Sequence, residues 1–136
     1  MKSRFLLLLS LALLNATVLT FEGCKKYEDG PMPSLKSKKG RVDGTWKFQS
    51  FIEDGDDITQ DFVGCEWEFK KDGDFTEYFD GDVYSGRWEF ASDKEAIDLT
   101  YDGDTWRWSL KRLTNKEMWL ERIDGGYLQD VKLSAK

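Results

Sequence analysis

The sequence predicts an all-β domain: an eight-stranded antiparallel up-and-down β-barrel, standing after a cleaved signal peptide and a flexible tether. Three observations predict it. Between Gly44 and Leu133 apolar and polar residues alternate in eight separate runs, the period of a strand with one buried face. The gaps between runs are short and rich in Asp-Gly, which supplies the positive φ that tight hairpins need. Links this short make sequential strands antiparallel neighbours, and a meander of eight removes its two sticky edges most simply by closing on itself. A two-sheet sandwich is the competing arrangement, but short hairpins throughout leave little room for crossing connections.

The chain begins with Lys2 and Arg4, then an apolar run from Phe5 to Leu14 broken only by Ser10; Asn15 and Thr17 soften it, and Gly23-Cys24 ends it. A basic start, an apolar stretch and a small residue at the cut describe a secretory signal over residues 1–23. The competing reading, an uncleaved anchor, would have to span a bilayer with Phe5 to Phe21, a stretch near the lower length limit that includes Asn15, Thr17 and Thr20. The Gly23-Cys24 pair followed by the polar "KKYEDG" resembles a bacterial lipoprotein signal. That resemblance implies that Cys24 becomes the mature N-terminus and carries lipid, palmitate included. It further implies that the membrane is a partner through this anchor, and that the protein resides in the bacterial cell envelope, at the outer membrane, facing the periplasm or the surface. With Cys24 acylated, Cys65 has no partner for an internal disulfide.

Residues 24–43 are predicted to be the lipidated cysteine and a flexible linker. They hold both prolines and many lysines, and they lack helical or alternating periodicity. A flexible chain of this length spans about 25 Å on average. Lys36, Lys38, Lys39 and Arg41 are suited to anionic head groups, although a charge run more often simply stays solvated.

The barrel domain is predicted over residues 44–136. "GTWKFQSFI" sets Trp46, Phe48 and Ile52 on one face, leaving Phe51 outward. "CEWEFK" gives Cys65, Trp67 and Phe69; "DFTEYF" gives Phe75 and Phe79; "SGRWEF" gives Gly86, Trp88 and Phe90. "AIDLTY" gives Ile97, Leu99 and Tyr101, and "TWRWSLK" gives Trp106, Trp108 and Leu110. "EMWLER" gives Met118 and Leu120, and "GYLQDVKL" gives Tyr127, Val131 and Leu133. One link is longer: Asp54 to Gly64, containing "DITQDF", fits a short helix or a lid over one barrel mouth.

Composition narrows the function. A formal net charge of −6 argues against nucleic acid as a partner, because phosphate neutralisation needs a basic patch. The chain has no histidine, and hence lacks the commonest general base and transition-metal ligand. Ser85 in "YSG" lacks a nucleophile elbow, and the plentiful carboxylates fall in turns or on polar faces, so no catalytic residue, resident metal or cofactor is predicted and the protein is read as a non-enzyme. "DGD" occurs four times, beginning at Asp54, Asp72, Asp80 and Asp102. Calcium would want several carboxylates in one loop, yet each triplet sits where a hairpin must turn, and turn chemistry is the simpler reading. Loops clustered at one barrel end leave weak cation binding open. Cys65, on the apolar face beside Trp67, reads as a small hydrophobe. The six tryptophans admit two readings, since an eight-stranded interior is either filled by side chains or just wide enough for one small ligand.

"GTWKF" at the start of the first strand resembles the Gly-x-Trp signature of the lipocalin and calycin group. "WEFKKDGDFT", "GRWEF" and "KRLTNKEMWLER" are similar to the lipocalin-like domains found on small bacterial lipoproteins. The resemblance covers about residues 40 to 136. It implies a lipocalin-like barrel that carries a small hydrophobic ligand. It also implies that Trp46 closes one barrel end with a basic residue of a late strand stacked on it, Arg122 being the candidate. The expected ligand-binding residues are the aromatics of the inward face, Trp46, Trp67, Phe79, Trp88, Tyr101, Trp106, Trp108 and Tyr127. The expected state is a monomer. The alternative is a protein-interaction or structural module of the envelope with a filled barrel, using outward aromatics such as Phe51, Tyr78 and Trp119.

Overall fold

In the computed structural model, residues 36–136 are described; the expected signal peptide, Cys24 and the first part of the expected linker lie outside them. A short helix α1 (Lys38–Val42) leads into strand β1 (Gly44–Glu53). A two-residue strand β2 (Asp56–Asp57) and a 3-10 turn (Thr59–Phe62) follow, then β3 (Glu66–Phe69) and β4 (Asp74–Phe79). β5 (Asp82–Ala91), β6 (Ala96–Tyr101), β7 (Asp104–Leu113), β8 (Glu117–Asp124) and β9 (Tyr127–Ala135) complete the chain. All pairings are antiparallel. β1 pairs with both β3 and β9, so β1 and β3 to β9 form a closed barrel of eight strands in up-and-down order, and β2 adds only to the end of β1.

The two ends of the barrel are built differently. Four connections at one end are two-residue hairpins: Asp54-Gly55, Asp80-Gly81, Asp102-Gly103 and Gly125-Gly126, each with positive φ at both positions. These are the backbone requirements of the type I′ turn, whose twist matches that of the flanking strands. Three of the four "DGD" triplets are thereby gathered at this end as turns. The fourth turns at the other end, where Asp72 Oδ1 accepts from the Asp74 amide at 3.0 Å.

That other end is closed by α1, within the stretch expected to be tether. Ser37 caps the helix by accepting from the Gly40 amide at 3.0 Å. Val42 is fully buried in the core, and its carbonyl accepts from Trp46 Nε1 at 2.8 Å. Arg41 Nη1 donates to the Leu113 carbonyl at 3.1 Å, while the Lys38 and Lys39 ammoniums each lie 5.7 Å from a ring centroid, of Phe90 and Trp88 respectively. A five-residue helix with one buried apolar side chain has no period to read, so the sequence could not separate it from the linker before it.

Two β-bulges shift the pattern. Between Phe48 and Ser50 the β1–β9 register slips by one, which turns Phe51 inward, where it is only 6% exposed. Phe51 is therefore a core residue and not an outward aromatic, because an extra residue in one strand reverses the facing of everything beyond it. A second bulge between Leu110 and Arg112 brings Leu113 inward with no exposed area. Cys65 is buried with a free thiol, in keeping with a packing role.

Candidate ligand-binding site at the open end of the barrel

Toward the closed end the interior is packed with buried side chains. Trp46, Phe69, Phe75, Ile97, Leu99, Leu113, Met118, Leu120, Val131 and Leu133 each expose under 2% or about that much of their surface. Trp67 lies across the middle, edge-on to Phe48, Phe75 and Trp108 at 5.2, 5.8 and 5.6 Å between centroids. Above this layer the packing changes character.

At the hairpin end, a depression of about 350 Å³ is lined by Phe62, Glu77, Phe79, Tyr84 and Tyr101. A second, more polar depression of about 590 Å³ shares Tyr84 and Tyr101 with it and adds Val83, Ser85, Asp102, Asp104 and Trp106. Phe62 comes from the long link after β1. Thr59 holds that link against the barrel: its hydroxyl accepts from the Phe51 amide at 2.9 Å, and its own amide donates to Asp57 Oδ1 at 2.9 Å. The 3-10 turn then sets the Phe62 ring 5.0 Å from Phe48, 4.3 Å from Phe51 and 5.5 Å from Phe79. The link therefore forms one wall of the mouth without covering it.

Polar side chains also face into this end. Glu77 sits on the inward phase of β4 between Phe75 and Phe79, and its Oε1 accepts from Trp67 Nε1 at 2.9 Å. Burial raises the Glu77 carboxyl above the usual carboxylate range, and the indole hydrogen bond opposes this only in part. Tyr101 stacks on Trp106 at 4.1 Å. Its phenol is pushed up to about 12, by burial first and by the Glu77 charge second, with Arg122 pulling the other way. Arg122 is largely buried, its guanidinium 5.5 Å from the Trp108 ring centroid and 5.9 Å from that of Trp106, and Asp124 neutralises it at 2.6 Å. Beside it Gln129 Nε2 donates to Glu53 Oε2 at 2.6 Å.

Of the aromatics expected to contact a ligand, the structure brings Phe79, Tyr101 and Trp106 to this mouth. Tyr127 stands on the rim, 57% exposed. Trp67 and Trp108 form the floor. Trp46 and Trp88 are at the opposite, closed end, where Trp88 Nε1 donates to the Lys70 carbonyl at 2.8 Å. The expected pair of Trp46 and Arg122 does not form. Trp46 lies opposite Ala135 of β9, whereas Arg122 lies opposite Gln129, which is itself opposite Glu53 at the far end of β1. Trp46 is anchored instead by the α1 carbonyl of Val42. Sequence reasoning missed Glu77, Tyr84 and Phe62. Glu77 carried a signal, being a charged residue in the inward phase of an otherwise apolar strand; Phe62 carried none, since it lies in a loop.

The expected "DGD" turns place many carboxylates around this mouth, yet among the described residues no three His, Cys, Asp or Glu side chains come together to hold a metal ion.

The model of the lipocalin-like domain family matches residues 42–120, more than half of the chain. The chain belongs to the lipocalin-like domain family. The match begins at Val42, the last residue of α1, and runs to Leu120 within β8. Among solved structures, a crystal structure of a DUF4847 family protein from Bacteroides vulgatus ATCC 8482 is similar at 13% identity and a TM-score of 0.49, over 67% of this chain and 93% of that one. No curated protein sequence matches significantly. A closed lipocalin-like barrel of this kind is compatible with holding a small hydrophobic ligand.

Proposed function

We propose that this lipocalin-like protein is a cell-envelope lipoprotein, anchored through Cys24, that binds a small apolar ligand at the open mouth of its barrel and has no catalytic role. The observation that carries the binding reading is the asymmetry of the barrel. One end is plugged by α1 and packed solid, and the other keeps an aromatic depression of about 350 Å³ in contact with solvent. Small-molecule sites are concave, mostly apolar and aromatic, and oriented by few polar groups; here Glu77 and the Tyr101 hydroxyl are those groups. The filled interior limits the ligand to the mouth, with Trp106 in the wall and Trp67 and Trp108 beneath it, rather than a bulky molecule deep in the barrel. The anchor reading rests on Gly23-Cys24 after an apolar run, and puts the mouth on a tether at the membrane.

Tryptophan emission tests the binding reading directly. Titration with neutral apolar probes such as 1-octanol, 1-naphthol and a short-chain fatty alcohol series is expected to shift or quench it, and Trp106→Phe is expected to remove most of the response. A flat response to the whole series refutes a mouth site. Mass spectrometry of membrane-extracted protein tests the anchor, which an unmodified Cys24 thiol refutes.

A further inference from the structure

The charged residues that line the two depressions are all acidic. We infer that the occupant of the mouth is an organic cation, an alkylamine or quaternary ammonium head carried on a short apolar body, held among Phe62, Phe79, Tyr84 and Tyr101 with Glu77 as counter-ion. This rests on the mouth being a binding site, as proposed above, and names the class of ligand it takes.

Four rings and one carboxylate line the smaller depression. Aromatic faces carry negative electrostatic potential and attract a cation within about 6 Å of the ring centroid, most strongly where water is displaced. A neutral ligand would gain from the rings but leave the half-buried Glu77 carboxylate uncompensated, and an anion would meet it head-on. Glu77 Oε1 is engaged by Trp67, and no partner of its other oxygen is found among the described residues. The adjoining depression repeats the pattern, with Asp102 and Asp104 beside Tyr84, Tyr101 and Trp106. Arg122 is the basic residue nearest the site. It does not line either depression, its face is spent on Trp106 and Trp108, and Asp124 balances its charge. Outside, the hairpins Asp54-Gly55-Asp56 and Asp80-Gly81-Asp82 add carboxylates to the rim. That rim raises the local concentration of cations before they enter.

The test uses the full-length protein and three probes that share one alkyl chain: octyltrimethylammonium, 1-octanol and octanoate, titrated calorimetrically at fixed ionic strength. Octyltrimethylammonium is expected to bind about tenfold more tightly than 1-octanol, and octanoate most weakly. Glu77→Gln is expected to erase most of that advantage, Tyr84→Ala to reduce affinity for the cation severalfold, and Glu89→Gln, on the outer wall, to change nothing. If 1-octanol equals the cation, if octanoate exceeds it, or if Glu77→Gln and Tyr84→Ala both keep the full preference, the cation assignment is overturned while the apolar mouth site stands. If none of the three probes binds, the mouth-site proposal itself fails and the assignment falls with it.

Discussion

Raising the pH through the ionisation of Tyr101 probes the electrostatics of the mouth without introducing any ligand. The phenol is half-buried against Trp106 and close to the Glu77 carboxylate, and both features favour its neutral form. Its ordinary value of 10 is raised to about 12. In the window between these values the folded protein keeps a proton that the unfolded chain has already lost, so stability falls as pH rises through it and levels off above. Each pH unit of separation is worth about 1.4 kcal/mol, which sets an upper bound of about 2.7 kcal/mol. The side chain is partly open to solvent, and screening reduces this to about 1 kcal/mol. The assay is the near-ultraviolet absorbance of tyrosinate for the native protein minus that of Tyr101→Phe, an almost isosteric change. The difference isolates Tyr101 from Tyr78, whose phenol is also raised, by its hydrogen bond to Glu68. The expected difference curve has its midpoint near 12, moves down in Glu77→Gln, and returns to the ordinary value in denaturant. A native midpoint near 10 would refute the partial burial of Tyr101 beside Glu77.

Three other outcomes follow from the same geometry. The carboxyl of Glu77 is raised by burial, so the folded state holds its proton to higher pH than the unfolded chain; stability declines as pH rises above the ordinary value of 4.5, and equilibrium unfolding of Glu77→Gln should lack that part of the slope. Val42→Ala removes two buried methyl groups from the plug and is expected to cost about 2 kcal/mol in chemical denaturation, whereas a side chain on a free tether would cost nothing. A Cβ at position 86 would lie 2.2 Å from the Thr100 carbonyl and 2.7 Å from Tyr101 Cβ, so Gly86→Ala should destabilise by about 1–3 kcal/mol and disturb the Tyr101 wall; an unchanged melting temperature would contradict the close β5–β6 approach.

The barrel was legible because strand periodicity and turn chemistry are local properties. Alternation over a few residues marks each strand, and Asp-Gly between two runs demands a hairpin whatever else the chain does. Where local pattern is absent or interrupted, the reading went astray. Phe51 alternates with the outward set until the bulge after Phe48, and a bulge is decided by how β1 must bend to meet β9, not by the residues of β1. α1 is five residues long, too short for a period, and owes its helix to packing on Trp46 and Leu113. The Trp46 partner expected by resemblance was sought on a late strand, but the strand phase that makes Arg122 inward also carries it to the opposite end.

The sequence alone determined that eight strands would form, which faces they would bury short of the two bulges, that sequential strands would pair, and that the domain is lipocalin-like. All but the last follow from nearest-neighbour chemistry along the chain; the last follows from the resemblance of its motifs. Only the tertiary structure decided that the interior is filled below and open above, and that Glu77, Phe62, Phe79, Tyr84 and Tyr101 meet at one mouth. These five come from β4, β5, β6 and a loop, and their distances depend on strand tilt, register and two bulges. Those quantities are set by closure of the whole barrel and by the volume of its core side chains, which no single stretch of sequence contains.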